Sequence, residues 1–427
     1  MALTFAQQIT TAGFLGAEDY GRLAVVVSAG MLVMLITDFR TWEVGTKLLT
    51  RSETDGDTAE TARVTTWLLL IELVTGVLGA IVIALAAPWM AQTFLQSPEL
   101  AGLITAYAFA IPFRILSLGV LSVFPRIGNR FDWLAQKSIA YAVVRLVLMT
   151  GAAAAGLGLP GVIAGAIVGE IFNFSLLVIM ALRLYSPRRE GLALFDLTRP
   201  AQFDEGRRML GQLWVSSTLT GIHYYMFVPL MSLVTNTVQV GRFRSALDIA
   251  ELVERTVQPL AIVFTPRIMA LSNSKDYVSL RRYALQCAGM LSAVVIPLAI
   301  GVALLGKYFI PLVLSSTGFE DVWLVTNLVL VGVATHTILQ WWLRPAAVAM
   351  RTVHSQNWVM VASLVLSALG LVILTPIYGA EGAAIAKSVF QITISLGSLV
   401  LFGHYLRREL RELAVDRAAS GHITSAQ

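Results

Sequence analysis

Apolar runs of around 20 residues alternate with short polar stretches along most of the 427-residue chain. A run of this length crosses the hydrocarbon core of a bilayer as a helix, because a helix rises about 1.5 Å per residue. The runs are continuous rather than alternating residue by residue, which argues against a transmembrane barrel. The pattern predicts an all-α membrane protein with about twelve transmembrane helices.

The positions of the apolar runs and of the polar turns between them define the predicted helices. These helices span residues 1–16, 22–49, 64–87, 99–122, 133–156, 161–183, 209–233, 241–270, 280–306, 321–343, 355–376 and 381–405. Helix one is short compared with helix seven, its counterpart in the internal repeat described below. We therefore expect the first helix to be truncated.

The composition agrees with a membrane location, since 56% of the residues are hydrophobic and 13% are charged, whereas a soluble domain carries about 25% charged residues. The net charge of +5 is explained better by basic cytoplasmic loops than by a nucleic-acid partner. Cys287 is the single cysteine, which excludes an internal disulfide. The sequence has no phosphate-binding glycine loop, metal-ligand spacing or nucleophile motif. We expect no cofactor, no metal and no enzymatic activity.

Lysine and arginine residues collect in alternate loops, as the positive-inside rule requires. The polar segment Arg183–Arg208 is one of these basic connections, and it is interrupted by Pro187 and Pro200. The loops on the other side mix basic residues with acidic ones such as Glu18 and Asp19. This asymmetry predicts that both termini and the Arg183–Arg208 segment are cytoplasmic.

The two halves of the chain repeat one another. Gly21 and Gly241 stand in similar tripeptides 220 residues apart, and Pro125 and Pro345 are separated by the same distance. Each half has an even number of spans, so both enter the membrane in the same direction, a layout found in alternating-access transporters. The repeat predicts two parallel six-helix lobes around a central cavity: lobe 1–183, linker 184–208, lobe 209–406 and cytoplasmic tail 407–427.

Three stretches carry a family resemblance. The segment Phe14–Gly21 (FLGAEDYG) is similar to the "LLGPEDYG" signature that follows the first helix of bacterial oligosaccharide flippases, with Ala17 where proline is common. Ser245–Arg267 resembles their eighth helix, and Gly156–Gly161 the glycine-rich turn before their sixth. The chain thus resembles the polysaccharide-biosynthesis group of the multidrug/oligosaccharidyl-lipid/polysaccharide exporter superfamily.

The resemblance implies a transporter that moves a lipid-linked oligosaccharide, a polyprenyl-diphosphate glycan, across the bacterial inner (cytoplasmic) membrane by alternating access. The product would enter surface polysaccharide or lipopolysaccharide biosynthesis. The implied partners are this glycolipid, membrane lipids, a coupling ion (H⁺ or Na⁺) and polysaccharide-assembly proteins.

The densest charge pattern lies in predicted helix eight. Arg244, Asp248, Glu251 and Arg255 are spaced i, i+4, i+7 and i+11, which places them within about 60° on one helix face. A charged side chain at mid-membrane costs about 2.5–3.5 kcal/mol, so the stripe must avoid lipid. One interpretation is a cavity wall that meets substrate phosphates, and the other is a pair of structural ion pairs, Arg244–Asp248 and Glu251–Arg255.

Other predicted spans contain isolated ionisable residues. Arg114 and Arg145 are candidate phosphate ligands, because the planar guanidinium donates two parallel hydrogen bonds and stays charged. The alternative is an ion pair with Glu72 or Glu170, or snorkelling to the interface. The same two glutamates are candidates for ion coupling. Lys387, near the outer end of helix twelve, is expected to snorkel.

Two histidines within predicted spans, His223 and His336, are candidate proton relays, although hydrogen-bonded packing is the commoner role. Two other functions remain open. An ion-coupled drug or small-cation exporter of the same superfamily should have a mainly acidic cavity, whereas this chain offers both signs. A membrane glycan polymerase or acyltransferase is disfavoured, because the outer loops are short and contain no histidine.

Overall fold

The structure is a computed structural model that describes residues 2–185, 196–314, 318–319, 321–350 and 352–424. Within these residues it contains α-helices, two short 3₁₀ turns and one π turn, and no strand. The predicted all-α class is confirmed.

Sixteen α-helices follow one another along the described residues. They are α1 (Ala2–Thr37), α2 (Thr41–Thr54), α3 (Thr58–Phe94), α4 (Ala101–Ala108), α5 (Ala110–Leu118), α6 (Val123–Ile127), α7 (Phe131–Arg145), α8 (Gly151–Ala154), α9 (Gly158–Tyr185), α10 (Phe203–Tyr225), α11 (Phe227–Val234), α12 (Thr237–Asn273), α13 (Tyr277–Val313), α14 (Val322–Ala349), α15 (Val353–Tyr378) and α16 (Ala380–Thr424). The π turn, Leu146–Thr150, lies between α7 and α8.

Nine segments of the described residues are long and apolar enough to cross a membrane. They are Leu3–Thr37, Thr58–Phe94, Pro98–Ile127, Phe131–Ala154, Gly158–Leu184, Tyr277–Val313, Val322–Ala347, His354–Tyr378 and Ala380–Glu412. Predicted helices one and two share the first of these segments. Predicted helices seven and eight correspond to α10–α11 and α12, which are helical but more polar. The chain is therefore a multi-pass membrane protein.

The predicted break between helices one and two is confirmed at Gly16, whose backbone is non-helical (φ 78°, ψ 168°) and divides α1 into two helical parts. The second part begins at residue 17 rather than at the predicted residue 22. Arg22 forms ion pairs with Glu18 (2.7 Å) and Asp19 (2.9 Å) one turn earlier, and such pairs stabilise a helix surface. Predicted helix two, residues 22–49, is itself divided near Arg40, which adopts a left-handed conformation (φ 51°) between α1 and α2.

The described chain divides into two compact units, the first ending at Gly241 and the second beginning at Arg242. Helix α10 belongs to the first unit: Trp214 Nε1 donates a hydrogen bond to the carbonyl of Ile36 (2.7 Å), and its ring stacks on Phe39. The predicted lobe boundary at 184–208 stays a prediction.

Two repeat-related glycines allow α1 and α12 to approach closely inside the first unit. A Cβ atom at Gly21 would lie 1.8 Å from the carbonyl oxygen of Thr237, and one at Gly241 would lie 1.9 Å from that of Ala17. Such distances are far below any van der Waals contact, so only glycine fits at either position without a backbone shift.

In the second unit, α14 packs closely on α16. A Cβ atom at Gly332 would lie 2.5 Å from Ser388 Cα, and the Ser388 hydroxyl donates to the carbonyl of Leu328 (2.5 Å). Further along the same helices, Gln340 Nε2 donates to the carbonyl of Ile394 and to Ser398 Oγ, both at 3.1 Å. These bonds satisfy polar groups that face protein within a largely apolar unit.

Candidate functional site

A polar cluster lies in the first unit among α5, α7 and α9. We call it the first-unit cluster, and it consists of Arg114, Lys137, Tyr141, Arg145 and Glu170. Arg114 Nη1 lies 3.0 Å from Glu170 Oε1, and the Tyr141 hydroxyl donates to the same oxygen at 2.6 Å. Arg145 Nη1 donates in turn to the Tyr141 hydroxyl at 3.2 Å. Three helices that are separate in the sequence thus share one hydrogen-bonded chain.

The two cluster arginines differ in their partners. Arg114 forms the ion pair with Glu170 that the structural alternative anticipated. Arg145 instead contacts neutral groups, the Tyr141 hydroxyl and Met149 Sδ (3.5 Å). Within the part of the chain that the structure describes, Arg145 forms no ion pair, and its buried Nε has no hydrogen-bond partner. Arg145 therefore retains donor capacity for an anion.

The first-unit cluster has an excess of positive charge. Arg114, Lys137 and Arg145 face a single carboxylate, that of Glu170, so the cluster carries a formal charge of +2. Lys137 Nζ lies 3.5 Å from the carbonyl oxygen of Ser117 and interacts electrostatically with Glu170. Because uncompensated charge is costly inside a membrane, such a cluster favours an anionic ligand.

Glu72 lies elsewhere in the first unit and pairs with neither Arg114 nor Arg145. Its Oε1 accepts hydrogen bonds from the Thr41 hydroxyl (2.5 Å) and from the backbone N–H of Val120 (2.6 Å). The residue is 1% exposed, and its Oε2 has no partner among the described residues. The geometry shows a carboxylate that joins α2, α3 and the turn after α5, while its proposed coupling role stays a prediction.

In the second unit, the α12 stripe contains both anticipated ion pairs. Arg244 Nη2 lies 2.7 Å from Asp248 Oδ1, and Arg255 Nη2 lies 3.0 Å from Glu251 Oε2. Asp248 is 0% exposed, whereas the other three side chains are partly accessible. The pairs satisfy the charges locally, and a substrate-binding role for the stripe stays a prediction.

The expectation that Lys387 snorkels is wrong. Lys387 is 3% exposed and interacts electrostatically with Glu251 and Glu254 of α12, because it lies on the inward face of α16. His336 on α14 is also buried and interacts electrostatically with Lys387. The side chain of His223 lies outside the described residues. The proton-relay role stays a prediction for both histidines.

Two members of the first-unit cluster, Tyr141 and Lys137, were not singled out from the sequence. Both share a helix face with Arg145, at spacings of four and eight residues. This spacing of four residues could have indicated from the sequence that the three side chains share one face. A tyrosine in an apolar span is common, however, and only the contact with Glu170 of α9 shows that Tyr141 belongs to the cluster. Among the described residues, no group of three or more histidine, cysteine, aspartate or glutamate side chains could hold a metal ion.

The arrangement of spans and the polar cluster can now be compared with known proteins. The family model described as polysaccharide biosynthesis protein matches residues 11–323, nearly three quarters of the chain. The chain belongs to the polysaccharide biosynthesis protein family. The resemblance noted in the sequence is thereby confirmed. No curated protein sequence matches the chain.

Solved structures of MOP-superfamily transporters share the fold of this polysaccharide biosynthesis protein. An inward-facing multidrug resistance MATE transporter matches with a TM-score of 0.74 and 14% identity, over 96% of this chain and 95% of that one. The lipid II flippase MurJ, in an inward closed conformation, matches with a TM-score of 0.73 and 14% identity, over 98% and 90%. A MOP-superfamily transporter from Pyrococcus furiosus matches with a TM-score of 0.58 and 15% identity, over 96% and 91%. At these identities the likeness concerns the fold.

Proposed function

We propose that this polysaccharide biosynthesis protein translocates a lipid-linked oligosaccharide, a polyprenyl-diphosphate glycan, across the bacterial inner membrane. The product enters surface polysaccharide or lipopolysaccharide assembly. Family membership supports the biosynthetic context, and the fold shared with a lipid II flippase supports transport rather than enzymatic chemistry.

The first-unit cluster is the observation that carries this proposal. A diphosphate carries two or more negative charges, and a membrane-embedded site must compensate them with fixed cations. The cluster offers a formal charge of +2 and, in Arg145, a guanidinium that no carboxylate among the described residues engages. A planar guanidinium binds phosphate oxygens through two parallel hydrogen bonds. The sign and geometry therefore match the head group of a lipid diphosphate.

Transport follows alternating access, with both termini and the 184–208 linker in the cytoplasm. The repeat and the distribution of basic loops support this topology. Since the sequence has no nucleotide-binding motif, the driving force is a coupling ion, H⁺ or Na⁺, or consumption of the glycan by assembly proteins outside. Glu72, Glu170 and His336 are the described candidates for the coupling site.

A clean deletion strain tests the substrate class. Lipid-linked glycans are extracted, and their leaflet is determined by accessibility to an impermeant glycan-modifying enzyme. We expect the complete precursor to accumulate on the cytoplasmic side, with loss of surface polysaccharide. Unchanged glycans together with increased sensitivity to cationic compounds would refute the proposal and favour a drug exporter.

Complementation of that strain tests the cluster. We expect Arg145→Ala to abolish glycan export and Arg145→Lys to restore it only in part, because lysine cannot donate in the bidentate geometry. Arg255→Ala tests the α12 stripe in the same way. Arg408→Ala, which removes an exposed arginine paired with Glu412, is the matched control and should export normally. Wild-type export by Arg145→Ala at equal membrane levels would exclude Arg145 from the site.

A further inference from the structure

A π turn directly follows Arg145 of the first-unit cluster. Residues Leu146–Thr150 form this turn between α7, which ends at Arg145, and α8. A π turn accommodates one residue more than an α-helical turn, and isolated π turns are frequent at functional sites. One inserted residue rotates the preceding helix face by about 100° relative to the following one. The direction in which Arg145 points therefore depends on this turn.

The facing helix α9 has two glycines that make room for the π turn and for Arg145. A Cβ atom at Gly165 would lie 3.0 Å from Leu148 C and 3.1 Å from Leu148 O, which are rigid backbone atoms of the turn. A Cβ atom at Gly169, one helical turn later, would lie 2.9 Å from Arg145 Cγ. The wide turn and the arginine stem thus both fill space that alanine would occupy.

The π turn is also hydrogen-bonded to α1. Thr150 Oγ1 lies 3.1 Å from Thr10 Oγ1 and 3.2 Å from Thr11 Oγ1. Met149, whose sulfur contacts Arg145 Nη2, is fully buried within the turn. Contacts with α9 and with α1 therefore hold the turn in one register. Met149, a residue of the turn, contacts the Arg145 guanidinium directly.

We propose that the π turn Leu146–Thr150, packed on Gly165 and bonded to α1 through Thr150, is the positioning element that directs the α7 face carrying Tyr141 and Arg145 toward Glu170 of α9 and toward an anionic, phosphate-bearing ligand. The inference relies on the proposed function for the class of ligand. The orientation of residue 145 by the turn can be measured separately. Gly165 and Thr150 are accordingly positioning residues that act through Arg145.

Binding of farnesyl diphosphate to the purified full-length protein in detergent tests the ligand side, with farnesol as the uncharged control. Gly165→Ala should weaken binding by about tenfold, since a displacement of a few tenths of an ångström misaligns a bidentate contact. Gly151→Ala is the matched control, because a Cβ atom there would meet nothing within 4 Å. That variant should bind as the wild type does.

A double-mutant cycle separates positioning from general packing. If Gly165 acts through Arg145, the double variant Gly165→Ala/Arg145→Ala should bind no more weakly than Arg145→Ala alone. Rescue supplies a second readout: Thr150→Ser, which keeps the hydroxyl, should bind as the wild type does, whereas Thr150→Ala should resemble Gly165→Ala. Independent, multiplying losses for Gly165→Ala and Arg145→Ala would overturn the proposal.

Thiol labelling measures the orientation without any substrate. Arg145→Cys is introduced into a Cys287→Ser background, and its reaction rate with a negatively charged, water-soluble methanethiosulfonate is recorded. The additional change Gly165→Ala should lower this rate by about fivefold or more, as expected for rotation away from the polar cluster, and Gly151→Ala should leave it unchanged. Equal labelling rates with and without Gly165→Ala would overturn the positioning role. An unaltered farnesyl diphosphate affinity in Arg145→Ala, with the labelling difference intact, would instead refute only the proposed ligand class.

Discussion

At the scale of single residues, Glu72 shows how a buried carboxyl group can be held by neutral donors. The sequence suggested an arginine partner, but the carboxylate accepts from a hydroxyl and a backbone N–H, those of Thr41 and Val120. Backbone donors are invisible in a residue pattern, because every position carries one. Helix α5 ends at Gly119, which adopts an extended conformation (ψ −151°). The backbone N–H of Val120 is therefore available to donate to Glu72.

Gly119→Ala should destabilise the protein, because a Cβ atom there would lie 2.1 Å from the Glu72 carboxylate. Overpacking of this kind costs about 1–3 kcal/mol or more, which should appear as a fall of several degrees in the melting temperature in detergent. Gly102→Ala is the control, since a Cβ atom at Gly102 would meet nothing within 4 Å. An equal melting temperature for both variants would contradict the close packing of Glu72 on Gly119.

Asp196 provides a residue-scale prediction for pH. The hydroxyl and backbone N–H of Thr198 donate to its Oδ1 and Arg63 Nε donates to its Oδ2, which together lower the pKa of Asp196 to about 2. A carboxyl with a depressed pKa stabilises the folded state above its ordinary pKa, near 3.8, and this contribution is lost as the pH falls toward 2. The contact between Asp196 and Arg63 of α3 should therefore persist at pH 5.

Hydrogen exchange of residues 196–203 measures this contact. Asp196→Asn should accelerate exchange at pH 7 by about fivefold, because the amide accepts the hydrogen bonds of Thr198 and Arg63 less strongly than the carboxylate does. In the wild type, protection corrected for the intrinsic rate should decline only below pH 4. Asp55→Asn, in the turn after α2, is the control. Protection that is lost already between pH 6 and 5 would show that another group governs the segment.

At the scale of elements, α12 shows what the sequence predicts well. The pairs Arg244–Asp248 and Glu251–Arg255 follow from a spacing of four residues, since such side chains are neighbours on any helix. The contact between Arg114 and Glu170, by contrast, joins α5 to α9 across 56 residues. The alternatives in the sequence, Glu72 or Glu170, were equally compatible with charge, and helix packing decides between them.

Arg244→Ala should be strongly destabilising, because it removes the ion-pair partner of a carboxylate, Asp248, that is fully buried. Breaking one side of a buried pair costs about 3–5 kcal/mol. The double variant Arg244→Ala/Asp248→Ala should recover part of this loss, since the buried carboxylate is then removed together with its arginine partner. Thermal unfolding in detergent and the amount inserted in the membrane provide the measurement.

The exposed pair Arg408–Glu412, with the same spacing, is the matched control for this prediction. Removing this exposed pair should leave stability nearly unchanged, because water and salt screen the attraction between exposed charges. A double variant at Arg244 and Asp248 that is less stable than Arg244→Ala would show that Asp248 is held chiefly by other contacts.

At the scale of the whole molecule, the apolar periodicity predicted the class and nearly all helices. It placed the start of the second helix five residues too late, at residue 22 rather than 17, because polar residues that form ion pairs on the helix surface replace the apolar signal there. It also gave no account of the π turn after Arg145, since an apolar sequence such as LVLMT is compatible with either helix type. The sequence identified Arg114 and Arg145 as candidate phosphate ligands. Which side chains they contact depends on how the helices pack, and this could be determined only from the structure.

Gly21→Ala and Gly241→Ala should each destabilise the protein, because backbone carbonyls occupy the space of the added Cβ atom. Unlike a flexible side chain, a helix backbone yields only if the two helices separate, so a loss above about 2 kcal/mol is expected for each. Gly289→Ala, with nothing within 4 Å of its Cβ position, should be neutral. Melting temperatures of the three purified variants test this, and three similar values would contradict the close approach of α1 and α12.

The extension of the first compact unit to Gly241 has a consequence for biogenesis. When residue 202 has just emerged from the ribosome, the five apolar segments that precede it in the described chain can reach the membrane, but Trp214 and Thr237 have not yet emerged. The carbonyl of Ile36 then lacks its indole donor, and Gly21 lacks the helix that packs against it. The nascent amino-terminal half must therefore remain with the insertase or with lipid until α12 emerges. A gene split after Gly241 should consequently yield a more protease-resistant amino-terminal fragment than a gene split after residue 202.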